Sequence, residues 1–139
     1  KSTTNLLSEF TDEVNKHLND KKYVLALFID FSRAFDTLIH NQLITKLDDC
    51  GVRGPLLNWC KNYLKNRTFS VKVNNISSER KVVTEGTAQG SILGPLHFLS
   101  YVNDMSNCIK NSTCFQFADD TCLVTADRNP QLACERLQH

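Results

Sequence analysis

The sequence predicts an α+β fold in which an antiparallel sheet packs on helices, and three observations support this class. Apolar residues recur at helical spacing in several segments, most clearly over residues 4–19. Residues 23–29 form a continuous apolar run that is too short for a buried helix and is typical of a strand. Alternating apolar and polar residues flank short polar turns at 74–75 and 119–120, which indicates two β-hairpins. The predicted order is helix, strand, two helices, hairpin, helix, hairpin, helix, within one domain over residues 1–139.

Polar residues mark the start of the first predicted helix and the end of the first predicted strand. Ser2 is a candidate N-cap for the helix, because its hydroxyl can accept a hydrogen bond from the first turn. We expect the strand over 23–29 to be central and covered on both faces, because it shows no polar alternation. The strand ends at Asp30, and a buried carboxylate costs free energy unless it is paired or bound to a metal. An ion pair with Arg33 is the alternative explanation.

The middle of the chain predicts two helices. The stripe that contains Leu43 and Leu47 ends at Gly51, a residue that commonly terminates helices. Pro55 suits the first turn of the next helix, whose apolar stripe predicts that Trp59 lies in the core.

A loop of small residues over 86–91 opens the next predicted helix, at about 95–105. Such a loop can cradle a phosphate, although the ending typical of a Walker A loop is absent. The last helix begins at Pro130.

Asp119 and Asp120 lie at the tip of the second predicted hairpin. Two adjacent anions cost free energy unless a positive charge lies between them, and carboxylate oxygens suit Mg²⁺. A solvated turn is the alternative. By contrast, Asp48 and Asp49 precede a helix stop, and we assign that pair no chemistry.

The net charge of +1 hides an uneven distribution along the chain. The segment 53–81 carries seven basic residues and one acidic residue, a net charge of +6, whereas the remainder carries −5. A basic segment beside an acidic one is typical of a protein that binds a phosphate backbone near a metal, although an ordinary solvated surface is the alternative. The candidate backbone contacts are Lys61, Lys65, Arg67 and Lys72.

Other composition features exclude several classes. No apolar run approaches the length of a membrane span, so no membrane partner is expected. The six cysteines form no Cys-x-x-Cys pair and the histidines complete no zinc spacing, which predicts reduced thiols in an intracellular, non-secreted protein. The chain begins with lysine and stops inside a predicted helix, so we expect a fragment truncated at both ends.

Three separated stretches, in this order, resemble the catalytic motifs of reverse transcriptases, specifically the non-LTR (LINE-like) retrotransposon type. These are FIDFSRAFDT at 28–37, GTAQGSILGPL at 86–96 and FADD at 117–120. The spacer over 51–67 and the segment YVNDM at 101–105 are also similar to this family. Each stretch alone would be a weak signal, but together they are specific and cover nearly the whole chain.

The resemblance implies an RNA-directed DNA polymerase whose palm, with part of the fingers, is contained in this chain. It implies a nucleotidyl transfer from dNTPs to a DNA primer on an RNA template, with two Mg²⁺ ions or Mn²⁺ as cofactors. The rest of a retrotransposon polyprotein, with thumb and endonuclease, is an expected partner, and nucleus or cytoplasm the expected location. The implied roles are metal binding by Asp30, Asp119, Asp120 and the carbonyl of Phe31, a steric gate at Phe35, and nucleotide or template contacts at Gln89 and Gly90.

The sequence departs from the family pattern at three positions. Ala88 replaces a usual proline, Ile39 replaces a common aspartate, and His97 lies in a run that is normally apolar. These departures indicate a drifted copy of a mobile element. Because the remaining fingers, the later palm motifs and the thumb are expected outside residues 1–139, we expect the isolated chain to be inactive.

Three alternatives compete with this interpretation. A non-catalytic nucleic-acid-binding remnant would bind in a salt-dependent way without Mg²⁺. A group II intron maturase is a related polymerase, but the Asp30–Phe35 spacing with AFDT at 34–37 and the ADDT ending at 118–121 favour the LINE-like group. A purely structural α+β domain would leave the three motifs unexplained.

Overall fold

The computed structural model describes residues 2–138, which form two compact units. The first unit comprises residues 2–32 and 104–138, and the second comprises residues 33–103. The five helices are α1 (Thr3–Asn19), α2 (His40–Asp49), α3 (Gly54–Leu64), α4 (Leu93–Val102) and α5 (Pro130–Gln138). The seven strands are β1 (Tyr23–Asp30), β2 (Thr68–Phe69), β3 (Lys72–Val73), β4 (Ile76–Ser77), β5 (Lys81–Val82), β6 (Thr113–Phe117) and β7 (Asp120–Asp127). The mixed composition and the element order confirm the predicted class.

The first unit is a three-stranded antiparallel sheet with the strand order β1-β7-β6. The prediction that β1 is central is therefore wrong, because β1 lies at the edge and 74% of Phe28 is exposed. The central strand is β7, whose residues are buried on both faces along most of its length. Its two threonines, Thr121 and Thr125, interrupt the apolar run that usually marks a central strand.

Helix α1 covers the sheet through one row of side chains. The Ser2 hydroxyl accepts a hydrogen bond from the Asn5 N–H at 3.2 Å, which confirms the predicted N-cap. Phe10 contacts Phe28 and Phe115, with ring centroids 6.3 and 5.5 Å away. Leu6 and Val14 pack beside it on the sheet.

The second unit is built on a small core between α2 and α3. Its buried members are Leu43, Leu47, Cys60 and Leu64. Gly51 terminates α2 with a φ of +92°. The expected burial of Trp59 is wrong, because half of this residue is exposed and its ring stacks on Tyr63 at 5.7 Å.

The first hairpin projects from this unit as two short ladders. Strand β3 pairs with β4, and β2 pairs with β5. Asn74 and Asn75 both adopt positive φ angles, as a type I′ turn requires. The prediction of a turn at these residues is confirmed.

Two further sequence predictions concern cysteines and membranes. The six cysteines are all free thiols, with Cys60 and Cys122 buried. Among residues 2–138 we find no helix long and apolar enough to cross a membrane.

Candidate functional site

The first unit brings two predicted carboxylates face to face. Asp30 is the last residue of β1 and Asp120 is the first residue of β7, and the two are direct cross-strand partners. Directly opposed residues in an antiparallel pair have Cα atoms about 4.5–5.5 Å apart. Both side chains are exposed at this end of the sheet. The strand register therefore places Asp30 next to Asp120, as the joint metal binding implied by the resemblance requires.

Asp119 lies in the turn of the β6–β7 hairpin. Phe117 pairs with Asp120, so the connection consists of Ala118 and Asp119 alone. Ala118 has a φ of +53°, a conformation that costs a residue with a Cβ about 1–2 kcal/mol. A two-residue hairpin turn requires a positive φ at its first residue, so the tight connection between β6 and β7 itself accounts for this conformation.

The electrostatics of the carboxylates fit a cation better than an ion pair. Like charges directly opposite each other destabilise a sheet, and within the first unit Asp30, Asp119 and Asp120 form no ion pair. Carboxylate oxygens are the donors that Mg²⁺ prefers. Among the described residues, however, no group of three His, Cys, Asp or Glu side chains is arranged to hold a metal. Of the three carboxylates with an implied metal role, Asp30 and Asp120 are cross-strand partners, and Asp119 is in the adjoining turn.

An apolar cavity of about 590 Å³ adjoins the two opposed carboxylates within the first unit. Helix α1 contributes Leu6 and Phe10, and the sheet contributes Phe28 and Phe115. Asp30 and Asp120 are also part of its lining. The carboxylates thus border a largely apolar space and are themselves exposed to solvent.

In the second unit, the loop over 86–90 is fastened to the segment 35–40. The Thr87 N–H donates to the Phe35 carbonyl and the Gly86 N–H donates to the Leu38 carbonyl, both at 2.8 Å. Gly86 has a φ of +81°, and a Cβ there would lie 2.7 Å from the Asp36 carbonyl oxygen. Only glycine fits this close approach of two backbones.

Two predicted nucleotide contacts, Gln89 and Gly90, are exposed on this loop. The Gln89 amide donates to both carboxylate oxygens of Asp36, at 3.1 and 3.2 Å. Phe35 is half-buried, and its ring lies 5.4 Å from the ring of Phe98. No sequence pattern predicted Asp36 as a partner of Gln89, although Asp36 directly follows Phe35 in the first motif.

His97 is a polar residue in the core, as its departure from the family pattern predicts. Only 1% of it is exposed, and its Nδ1 lies 3.1 Å from the Thr87 hydroxyl. Burial lowers the pKa of this imidazole, and the nearby His40 and Arg67 lower it further. Its Nε2 has no hydrogen-bond partner among residues 2–138.

The predicted backbone contacts differ in exposure. Lys65 and Lys72 are exposed, and Lys61 is half-buried. Arg67 is also half-buried, with its guanidinium carbon 6.0 Å from the centre of the Tyr63 ring. The two exposed lysines are thus the more accessible candidates.

Comparisons with known proteins agree with the motifs. Residues 2–138 match the family described as Reverse transcriptase (RNA-dependent DNA polymerase). The probable RNA-directed DNA polymerase from transposon X-element of Drosophila melanogaster is 30% identical over 140 residues, which cover 98% of this chain and 15% of that protein. The probable RNA-directed DNA polymerase from transposon BS of the same organism is 36% identical over 104 residues, 75% of this chain and 11% of that protein. The RNA-directed DNA polymerase from mobile element jockey is 29% identical over 87% of this chain and 14% of its own length.

The chain therefore spans between 11% and 15% of the length of these three relatives. The match to the family model extends over nearly all of the chain, including every segment described above. This chain belongs to the reverse transcriptase (RNA-dependent DNA polymerase) family.

Proposed function

We propose that this chain carries the active centre of an RNA-directed DNA polymerase encoded by a non-LTR retrotransposon. The observation that carries the proposal is the opposition of Asp30 and Asp120 across the β1–β7 ladder, next to Asp119 in the adjoining turn. Membership of the reverse transcriptase family and the names of its transposon relatives support the same activity. In this proposal the chain is the palm with part of the fingers.

The reaction is the transfer of a nucleotide from a dNTP to the 3′-hydroxyl of a primer paired with an RNA template. The primer oxygen attacks the α-phosphorus, a new phosphodiester forms, and pyrophosphate leaves. Asp30, Asp119, Asp120 and the carbonyl of Phe31 would hold two Mg²⁺ or Mn²⁺ ions. When bound, such ions lower the pKa of the attacking hydroxyl and neutralise the leaving group.

The second unit supplies the proposed nucleotide contacts. Phe35 would exclude the 2′-hydroxyl of a ribonucleotide, and its packing against Phe98 would keep the ring in one orientation. Gln89 and Gly90 would lie along the incoming nucleotide and the template, with the Gln89 amide oriented by Asp36. In a Phe35→Val variant we expect ribonucleotide incorporation to rise at least tenfold relative to dNTP incorporation, and an unchanged ratio would remove Phe35 from this role.

The partners follow from the same reaction. The template RNA and the primer would contact basic side chains of the second unit, namely Lys61, Lys65, Arg67 and Lys72. The rest of the polyprotein would supply the thumb and an endonuclease, in the nucleus or the cytoplasm. We propose that residues 1–139 alone do not synthesise cDNA.

Primer extension tests the proposal most directly. In the protein that contains this chain, Asp30→Asn and Asp119→Asn should each reduce Mg²⁺-dependent extension on an RNA template by about a thousandfold or more, since each removes an ionised metal donor. Asp49→Asn is the matched control, because Asp48 and Asp49 form a second acidic pair at the end of α2. This variant should leave extension within twofold of the unaltered protein. Near-normal extension by the Asp30 or Asp119 variant would exclude that carboxylate from the active centre. Salt-dependent RNA binding without any extension by the unaltered protein would instead indicate a non-catalytic remnant.

A further inference from the structure

Two histidines hold consecutive residues of the 86–90 loop. The His40 Nε2 donates to the Gly86 carbonyl at 2.8 Å. The His97 Nδ1 and the Thr87 hydroxyl form a hydrogen bond of 3.1 Å. The loop is thus tied by one side chain from α2 and by another from α4.

The bond between His97 and Thr87 is buried. Thr87 is 5% exposed and His97 is 1% exposed, so water does not replace either partner if the bond is lost. A buried polar group that loses its partner has neither a hydrogen bond nor contact with water, so its full desolvation cost is left uncompensated. Because the Thr87 N–H also donates to the Phe35 carbonyl, this residue is held through both its side chain and its backbone.

The part of the loop that Thr87 holds also carries Gln89. Gln89 is exposed two residues further on, and its amide donates to both oxygens of Asp36. Asp36 in turn follows Phe35, whose carbonyl accepts the Thr87 N–H. A shift of Thr87 therefore displaces Gln89 relative to Phe35 and Asp36.

We propose that His97 is a positioning residue for the incoming dNTP, acting through Thr87 on the loop that carries Gln89. The inference rests on the proposed function, because it assigns the loop to the nucleotide. An apolar side chain at position 97 would fill the same volume but would give the Thr87 hydroxyl no partner. The effect of His97 is therefore on nucleotide binding rather than on the chemical step.

Steady-state extension with a titration of dNTP measures this effect in the protein that contains this chain. His97→Leu and Thr87→Val should each raise the KM for dNTP about fivefold, the size expected for one lost hydrogen bond, with kcat within twofold. His97→Asn keeps an amide near the position of Nδ1 and should remain within twofold of the unaltered protein. The double variant His97→Leu/Thr87→Val should be no worse than either single variant, since both remove the same bond.

A second measurement follows the loop without using activity. Hydrogen exchange of the Thr87 amide should accelerate about fivefold in His97→Leu and Thr87→Val, and not in His97→Asn. His17→Leu is the control, because His17 belongs to α1 in the other unit, where it pairs with Glu13. This control should leave both the exchange at Thr87 and the KM unchanged.

The possible outcomes separate the two proposals. An unaltered protein that extends primers, combined with an unchanged KM in both His97→Leu and Thr87→Val, would overturn the positioning role alone. Equal KM changes in His97→Leu and His97→Asn would show that the ring acts by shape, which also overturns it. No extension by the unaltered protein would refute the proposed function, and the assignment of His97 to the nucleotide would fall with it.

Discussion

At the scale of single residues, the opposition of Asp30 and Asp120 would link stability to the proposed metal binding. Directly opposed like charges destabilise a sheet by about 0.2–1 kcal/mol. A bound divalent ion reverses this effect, because both carboxylates then share a positive charge. The same pair should therefore lower the free energy of unfolding of the metal-free protein and raise that of the metal-bound protein.

Asp120→Asn should accordingly raise the free energy of unfolding in EDTA by a few tenths of a kcal/mol, up to about 1 kcal/mol. The same variant should lose most of the stabilisation that Mg²⁺ gives, since ligand binding to the folded state stabilises it by mass action. Thermal melts in EDTA and in increasing Mg²⁺ measure both effects, with Asp49→Asn as the control. An equal Mg²⁺-dependent rise in Tm for the variant and the unaltered protein would contradict the prediction.

Of the five glycines, Gly86 leaves the least room for a side chain. Gly86→Ala combines a positive φ with a Cβ only 2.7 Å from the Asp36 carbonyl oxygen, so backbone must move. We expect a loss of about 1–3 kcal/mol in the free energy of unfolding, measured by urea denaturation. Gly51→Ala is a matched control with a φ of +92° and no atom within 4 Å of its Cβ, and it should cost less. Equal losses would show that φ alone, and not the contact, makes Gly86 necessary.

At the scale of elements, α2 begins without a side-chain cap. Its N-cap residue is Ile39, which is 45% exposed and makes no capping hydrogen bond. Aspartate, which the family resemblance associates with this position, would accept a hydrogen bond from the first turn and would favour the positive end of the helix dipole. With isoleucine at this position, the start of α2 therefore lacks the cap that an aspartate would provide.

Ile39→Asp should raise the free energy of unfolding by up to about 1 kcal/mol, the usual worth of an N-cap, less the repulsion from Glu85, its antiparallel bridge partner. Urea denaturation measures the change, and Ile39→Ala is the control that removes the isoleucine without adding a cap. If the aspartate and alanine variants have the same stability, the start of α2 is stabilised by other contacts.

Element identity and order were predictable from the sequence, because periodicity and turn residues are local. The neighbours of a strand are not local, as β1 and β7 demonstrate. The apolar run of β1 indicated a central strand, yet β1 lies at the edge and Phe28 is largely exposed. The central β7 buries Thr121 and Thr125 at 2% and 3% exposure, so its polar residues concealed its position.

The same distinction applies to the site. The carboxylates could be found because Asp30 ends an apolar strand run and Asp119 and Asp120 lie at a predicted hairpin turn. The pairing of β1 with β7, which brings Asp30 to Asp120, is not encoded locally. The bonds from Gln89 to Asp36 and from His97 to Thr87 depend on how the 86–90 loop packs, which no local pattern encodes. The sequence identifies His97 only as a polar residue within an apolar run.

At the scale of the whole molecule, the two units should respond to acid in different pH ranges. Burial lowers the pKa of His97 in the second unit from its ordinary 6.5, with His40 and Arg67 adding to the effect. The hydrogen bond from the Asn129 N–H lowers the pKa of Asp127 in the first unit from its ordinary 3.8, with Arg136 assisting at 2.7 Å. Each group therefore binds protons more readily in the unfolded chain than in the folded one.

The sign of the effect follows from linkage: where the unfolded chain binds more protons, stability falls as the pH falls. For His97 this loss begins near pH 6.5 and continues toward its lowered pKa, and for Asp127 it begins only near pH 3.8. Urea denaturation between pH 7.5 and 5.5, followed by fluorescence of Trp59 in the second unit, should show the first loss. His97→Leu should make stability less dependent on pH between 7.5 and 5.5. The loss of stability of the first unit that begins near pH 3.8, measured by amide exchange in β7, should be the same in this variant as in the unaltered protein. If the unaltered protein and the His97 variant have the same slope above pH 5.5, the buried imidazole does not control the stability of the second unit.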